Sequence, residues 1–363
     1  MDSAARRDAF LPTEANRDGK MLSLANTSPL SVTDLLANEP FVGRARLNGL
    51  SVMARGIFDF AVAVPVREEV DLLPQMVAAL SVAMKASNKT GIAVFCINNS
   101  RDHSAELIVR LLVRHRLPGL VVIVDFHSAI RNASHARRLA LDVAQKYAPR
   151  GTLLTTDADS EVGPAWVIEA IRQLSAGYDL ICEDVRLNAA GLAALPRQVR
   201  QVGNVERSYY NACDELWHWW SGDIDGFAHR ASGASLAFRT STYANIGGLP
   251  VPDCGEDAAL CAMVLAKGGR VITISDGGTR TSARLDSRAQ GGCGAALERR
   301  AKEIDPVCDA ALVPVEELKR LARYRWHHGV RKPLRQATTP LRMSDVMREL
   351  AKAQALLGAR GKS

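Results

Sequence analysis

The sequence predicts an α/β protein built on a doubly wound, mainly parallel sheet. Short apolar runs alternate with helix-period segments from about residue 58 to residue 185. The runs are continuous rather than alternating in polarity, as in strands covered on both faces. Each run ends in polar residues, at the edge where an open parallel sheet meets its ligand. A chain of 363 residues holds one large domain with extensions, or two domains.

The elements follow in order. Residues 1–55 mix Ser, Thr, Asn, Pro and charge without a sustained period; they are expected to form a flexible arm, with one short helix near Val32 to Ala37. Phe60 to Val64 reads as the first strand of the sheet, and Leu72, Leu73, Met76, Leu80 and Ala83 then recur at helical spacing, with Pro74 in the first turn. Strands are expected at Ile92 to Ile97, Leu120 to Val124, Thr152 to Thr156 and Asp179 to Val185. The intervening helices are Ser104 to His115, Ala133 to Tyr147 and Pro164 to Leu174. Beyond this the pattern loosens. Arg197 to Trp220 reads as a helix, Ala231 to Phe238 as a Gly/Ser-rich patch, and residues 255–266 as a helix stopped by Gly268-Gly269. Arg270 to Ile274 reads as a strand and residues 286–294 as a candidate lid loop. Two last helices span Val315 to His327 and Ser344 to Leu357, with Ser344 as N-cap.

Composition narrows the function classes. Hydrophobic residues at 47% and charged residues at 23% fit a globular, water-exposed protein. No stretch reaches the roughly 18 uninterrupted apolar residues of a membrane span. Residues 1–20 carry Arg6, Arg7, Arg17 and Lys20 without the apolar core of a secretion signal. The seven cysteines lack CxxC spacing, which favours free thiols in a reducing compartment and a cytoplasmic location. From Arg299 onward there are 15 Lys/Arg against 7 Asp/Glu, so the positive charge sits in the C-terminal segment. That segment is either a solvated helical face or a peripheral contact with acidic lipid, a polyanion or a phosphate-bearing substrate. It has no recognised nucleic-acid motif, and nucleic acid is not an expected partner.

The most informative residues are Asp157 and Asp159, at the end of Gly151-Thr-Leu-Leu-Thr-Thr. Residues i and i+2 of a strand point the same way, so both carboxylates face the sheet's ligand edge. Hard oxygens suit Mg²⁺ or Mn²⁺, which in turn can hold a diphosphate. Other strand ends supply Pro65-Val-Arg-Glu-Glu69 and Asn98-Asn-Ser-Arg-Asp102, and the third leads to Arg137-Arg138. Neither a dinucleotide fingerprint nor a P-loop is present, so side chains and metal must hold any phosphate. Glu256 and Asp257 open a helix, where acids also simply match the macrodipole.

Taken together these motifs resemble the family 2 glycosyltransferases of GT-A fold, over about residues 58–290. Val64-Pro-Val-Arg-Glu-Glu69 is similar to the first-strand motif beside the donor base, and Asn98-Asn-Ser-Arg-Asp102 to the second. Thr156-Asp-Ala-Asp-Ser160 resembles the metal-binding DxD, and Gly247-Gly-Leu-Pro with Gly255-Glu-Asp257 the acceptor-side segment. The resemblance implies a mixed, mainly parallel sheet with flanking helices and a C-terminal helical extension. It implies a nucleotide-sugar-binding half over 56–190, an acceptor and catalytic half over 191–297, and a basic extension over 298–363.

The implied activity is metal-dependent, inverting, non-processive transfer of a hexosyl-type sugar from a UDP- or GDP-sugar to an acceptor hydroxyl. Asp257 would be the catalytic base, with Glu256 beside it, and Asp159 with Asp157 would hold Mn²⁺ or Mg²⁺. Pro65, Arg67, Glu69, Asn98, Asp102, Arg137, Asp157 and Arg284 would line the donor. Asn98 stands where the family often has Asp, which leaves the base open between uracil and guanine. No His lies between His229 and His327, so a late His ligand is not supplied there. The segment Ala322-Arg-Tyr-Arg-Trp326 lacks the Gln of the processive motif, and Trp326 is read as helix packing. Trp217, Trp219 and Trp220 are read either as a sugar platform or as packing. Two alternatives stand beside this reading: a sugar-phosphate nucleotidyltransferase on a similar sheet, and a non-catalytic binding or scaffold protein of the same fold.

Overall fold

The computed structural model describes residues 32–275, 277–285, 291–329 and 339–360. The expected arm over residues 1–31 and the first part of the candidate lid, residues 286–290, lie outside the described residues. The described chain divides into two compact units. One comprises residues 32–186, 231–260 and 274–281; the other comprises 187–230, 261–273 and the described residues from 282 onward.

The first unit is a mixed α/β layer structure, in chain order α1 (Val32–Leu36), β1 (Ala45–Val52), β2 (Phe60–Val66), α2 (Leu73–Ala86), β3 (Gly91–Asn98), α3 (Ser104–His115), β4 (Gly119–Phe126), α4 (Ala133–Tyr147), β5 (Thr152–Thr155), β6 (Ser160–Glu161), α5 (Trp166–Ser175), β7 (Leu180–Glu183) and β8 (Arg186–Leu187). Strands β4, β3, β2 and β5 lie side by side and parallel, so their C-terminal ends open on one edge. Every residue of β3 is buried, the reason its sequence GIAVFCIN shows no alternation. Gly91 is required at its start: a Cβ there would stand 2.1 Å from the Phe60 ring, which is itself fully buried.

Two features of the sheet depart from the sequence reading. Residues 45–52, expected within the arm, form β1, which runs antiparallel along β4 from Ala45 opposite Phe126 to Val52 opposite Leu120. Its residues alternate between half-buried and exposed, so its polar positions resemble a loop in composition. Phe41, just before it, is buried and stacks on Phe126 at 5.8 Å. The second departure is β9 (Leu236–Arg239), which inserts antiparallel between β5 and β7 from within the Gly/Ser-rich patch. Because β9 runs against β5, its leading residues Gly233 to Ser235 arrive beside the C-terminal end of β5. Thr156 Oγ1 donates to Ala234 O there at 2.8 Å.

Beyond β9 come α8 (Thr240–Asn245), α9 (Glu256–Ala266), β10 (Val271–Ile274) and β11 (Arg280–Thr281). Asp184 N–H donates to Ile274 O, and β11 pairs antiparallel with β6.

Apart from residues 261–273, which carry the end of α9 and most of β10, the second unit is helical. It contains α6 (Ala189–Ala194), α7 (Arg197–Ser221), α10 (Cys293–Lys302), α11 (Val315–His328) and α12 (Met343–Arg360). Pro196 precedes α7, and left-handed Gly222 (φ 69°) ends it. Val202, Tyr209, Cys213, Leu216 and Trp217 of α7 share one hydrophobic core with Leu318 and Leu321 of α11 and Val346 and Ala353 of α12. Thus α7 and the two basic C-terminal helices, read from the sequence as separate segments, bury a common surface. Ser344 is not the N-cap of the last helix. The helix begins at Met343, and Asp305 accepts both the Ser344 N–H and its hydroxyl at 2.8 Å.

Candidate active site

The site begins with the four parallel strand ends. At the end of β2 and β3 the chain turns sharply, and Glu68 and Asn99 adopt positive φ values of 52° and 50°. Such conformations are uncommon for residues with a Cβ and cost of order 1 kcal/mol each. Side-chain ties hold them. Glu68 N–H donates to Ser100 Oγ at 2.9 Å, while Asn99 exchanges two hydrogen bonds with the Phe126 backbone.

Asp102, expected to face the donor, is used in the scaffold instead. Its carboxylate accepts from Ser104 Oγ at 2.7 Å, from Ser104 N–H and from Val70 N–H. It therefore starts α3 and ties the β2–α2 turn to it. Pro65 lies within β2 opposite Cys96, and Arg67 is half-buried just beyond. Glu69 is buried; its N–H donates to Ser104 Oγ and its carbonyl accepts from Leu72 and Leu73. Asn98 is 2% exposed, and its Nδ2 has no hydrogen-bond partner among the described residues. A buried amide donor left without an acceptor costs about 1–3 kcal/mol, an arrangement expected where a ligand supplies the missing oxygen.

Asp157 and Asp159 are both half-exposed and Ala158 between them is buried; the three lie not in the strand, which ends at Thr155, but in the turn after it, where Ser160 N–H donates to Asp157 O at 3.2 Å. Asp159 Oδ1 lies 3.3 Å from Thr281 Oγ1 on β11 and 3.4 Å from Ser160 Oγ, and these two hydroxyls are themselves hydrogen-bonded at 2.9 Å. Among the described residues no group of three or more His, Cys, Asp or Glu converges as a metal cage. A two-carboxylate donor set still suits Mg²⁺ or Mn²⁺, ions that complete their shell with phosphate and water oxygens.

Arg137 organises the region. Its side chain is 3% exposed, and every guanidinium nitrogen is engaged. Nη2 donates to Asp157 Oδ1 at 2.6 Å, Nε to Glu256 Oε1 at 3.1 Å, and Nη1 to both Thr155 Oγ1 and Gly233 O at 2.8 Å. Burial alone would lower its pKa, but Asp157 and Glu256 outweigh it and raise the pKa above the ordinary value. Arg137 was expected to approach a diphosphate; its donors are instead spent on the protein. A Cβ on Gly233 would fall 2.3 Å from Nη2, so glycine is what lets this backbone close on the guanidinium. Arg138, its neighbour, donates to Asp142 and to Leu249 O and so pins the Gly247-Gly248-Leu249 turn.

The two acids at the start of α9 differ sharply. Glu256 is 10% exposed in its side chain, and both oxygens are taken, by Arg137 and by Ser134 Oγ at 3.0 Å. Burial pushes its carboxyl up, but the Arg137 charge and the hydrogen bonds outweigh it, and the pKa falls below the ordinary value. Glu256, expected beside the base Asp257 in the catalytic pair, is thus held as an anion with both oxygens occupied by protein donors. Asp257 accepts from Gly233 N–H at 3.0 Å and from Ala258 N–H at 2.8 Å. Burial first, and the neighbouring Glu256 charge second, raise its pKa above the ordinary value. A carboxylate made more basic in this way is suited to accept a proton.

Glu183 was not recognised from the sequence. It ends β7, is 2% exposed, and accepts from Ser235 Oγ at 2.6 Å, Thr279 Oγ1 at 2.6 Å and Thr279 N–H at 2.7 Å. Trp166 Nε1 donates to the same Ser235 hydroxyl at 2.7 Å. The network fixes Thr279 two residues before Thr281, the hydroxyl beside Asp159. The available signal was an acid closing an otherwise apolar strand, Leu180-Ile-Cys-Glu183. Arg284 belongs to the second unit, where it is half-buried and its N–H donates to Ser282 Oγ at 3.3 Å.

No family model matches the chain, and no curated protein matches it. Among solved structures it is similar to S. aureus TarS in complex with UDP-GlcNAc, at 14% identity over 65% of this chain and 61% of that one, with a TM-score of 0.45. It is similar to the mannosyltransferase PcManGT from Pyrobaculum calidifontis in complex with GDP-Man and Mn²⁺, at 16% identity, 84% and 76% coverage and a TM-score of 0.47. A third is glucosyl-3-phosphoglycerate synthase from Mycobacterium tuberculosis in complex with Mn²⁺, UDP and glucosyl-3-phosphoglycerate, at 12% identity, 76% and 84% coverage and a TM-score of 0.41. The chain spans 61% of the length of the first of these. Likenesses this distant assign no residue its role.

Proposed function

We propose that this protein is a metal-dependent, inverting, non-processive glycosyltransferase that moves a sugar from a UDP- or GDP-sugar to an acceptor hydroxyl. The observation that carries the reading is the Arg137 node, which joins Asp157 at the end of β5 to the start of α9 while Gly233 hydrogen-bonds both Arg137 and Asp257. The motif residues that the family resemblance names for metal and base thereby share one rigid support.

Asp159 and the outer oxygen of Asp157 would hold Mn²⁺ or Mg²⁺, which when bound supplies charge neutralisation for a departing nucleoside diphosphate. Asp257 is the general base. Its raised pKa makes it a better proton acceptor for the attacking hydroxyl, and its two backbone hydrogen bonds fix its orientation. Glu256 and Arg137 position Asp257 and Asp157 and touch neither substrate. The Asn98 amide, buried and lacking an acceptor among the described residues, supplies a donor for a base carbonyl. Direct displacement with one base inverts the anomeric centre.

The test is a thermal-shift series with UDP-, GDP- and dTDP-sugars, with and without Mn²⁺. A donor stabilises by RT ln(1 + [L]/Kd), about 2.7 kcal/mol at 100 times Kd. The expected result is a metal-dependent rise for one nucleotide class that Asp159→Ala abolishes. No shift with any nucleotide, or a shift indifferent to metal and to Asp159, refutes the reading.

A further inference from the structure

The second unit carries large apolar side chains outside its core. Trp219 is 42% exposed, Trp326 66% and Ile224 78%. Trp326 therefore does not serve helix packing as the sequence suggested, and of the three α7 indoles only Trp217 is fully in the core, at 4%. The helical period explains the split. Trp217 faces inward, and Trp219, two residues on, is turned well away from it.

Trp219, Trp220 and Trp326 lie at the C-terminal end of α7, and Ile224 follows two residues after its Gly222 cap. Trp219 and Trp220 stack with ring centroids 6.0 Å apart. A Cβ at Gly222 would be 3.6 Å from the Trp326 indole, so Trp326 stands over the end of the same helix. Arg325, beside it, is held by Asp223 at 3.1 Å. Cations lie on the indole faces: Arg360 is 5.4 Å above Trp219, and Lys319 is 5.9 Å above Trp220. Exposed aromatic surface concentrated at one helix end marks an interaction site.

The chemistry selects the partner. Indoles ringed by long basic side chains suit the boundary between water and lipid, where the ring lies at headgroup depth and the cation reaches phosphate. A sugar stacking on the same indoles would have to displace Arg360 and Lys319 from their faces, whereas at a bilayer those cations turn outward to the headgroups. The basic excess after Arg299, 15 against 7, complements an anionic surface. No helix among the described residues is long and apolar enough to cross a membrane, so the contact lies on the surface.

We infer that this unit docks on an anionic bilayer through Trp219, Trp326 and Ile224, with Lys319 and Arg360 against the lipid phosphates. The inference is independent of the reaction proposed for the first unit.

The experiment is co-sedimentation of the full-length protein with vesicles of phosphatidylcholine, with and without phosphatidylglycerol, together with tryptophan emission. Binding to the anionic vesicles alone is expected, with a blue shift and with weakening as salt rises. Lys319→Ala/Arg360→Ala weakens binding about fivefold per cation, from roughly 1 kcal/mol each at such a surface. Trp219→Ala/Trp326→Ala abolishes the blue shift at unchanged circular dichroism, since both side chains lie outside the core. Equal binding to neutral vesicles, no binding to either, or an unaffected tryptophan double variant overturns the inference. So does retention on a heparin matrix with no vesicle binding, which would assign the patch to a soluble polyanion.

Discussion

Replacing Arg137 by Ala tests the node on which the site rests. The arginine is 3% exposed and makes four hydrogen bonds, and Glu256, one of its two ionic partners, is 10% exposed. Removing one member of a buried ion pair costs about 3–5 kcal/mol, because the other charge stays buried. The Asp157 contact adds little. That side chain is 32% exposed, and water replaces the lost partner at a cost under about 1 kcal/mol. The expected loss at neutral pH is therefore about 3–5 kcal/mol in urea denaturation, with the slope m unchanged.

The pH dependence has a definite sign. Glu256 is held below its ordinary value of 4.5 in the folded protein, so its contribution is complete above pH 4.5 and fades as pH falls through the folded pKa. In the Ala variant the Arg137 charge and hydrogen bond are lost, leaving only the Ser134 and backbone hydrogen bonds against burial, so the pKa rises relative to wild type and protonation relieves the orphaned carboxylate sooner. The difference between wild type and variant must shrink in acid. Arg137→Lys restores the charge but not the fork that spans four acceptors, and it should recover only part of the loss. A cost below about 1 kcal/mol, or one that is flat from neutral pH to below 4.5, would refute the reasoning.

Further outcomes follow from the same geometry. Asp257→Asn should abolish transfer, and its amide meets either Gly233 N–H or Ala258 N–H, at a cost of about 1–3 kcal/mol. Because the raised folded pKa makes ionisation of Asp257 destabilising, a penalty the variant escapes, that cost should be smallest at neutral pH and grow as pH falls toward the ordinary 3.8, read by paired calorimetry and activity assays. Gly233→Ala places a Cβ 2.3 Å from the Arg137 guanidinium, and a cost of about 1–3 kcal/mol with loss of kcat is expected; unchanged stability would mean that Arg137 can move aside. Glu183→Gln sets an amide against one or more of three donors, with an expected cost of about 1–3 kcal/mol and weaker Mn²⁺ dependence through β11, measured by metal titration of the thermal shift.

Much of the sheet was legible because its signals are local. The stripe of α3, the unbroken apolar run of β3 and the β-branched run of β4 declare their elements within a dozen residues. That Asp157 and Asp159 come just after β5 followed from the apolar run before them, but the strand period does not orient them, because they lie in a turn. What was illegible depends on partners distant in sequence. β9 is four residues long, lies among glycine and serine, and is a strand only because β5 and β7 flank it. Arg137 reads as a phosphate ligand in isolation; only the arrival of Gly233 and Glu256, 96 and 119 residues later, consumes its donors. Asp102 was visible as an acid at a strand end, but three hydrogen bonds at the start of α3 claim it.

The antiparallel run of β1 along β4 has a practical side. Without it, β4 would be the border of the sheet, offering a row of unsatisfied backbone groups flanked by Val121, Val122 and Val124 to any second molecule. Trimming the chain to the start of β2, a natural choice for anyone who took the preceding residues for a dispensable leader, would yield insoluble material rather than a smaller folded protein. Inherited changes in that stretch would be felt as poor yield in the cell long before they were felt as altered chemistry.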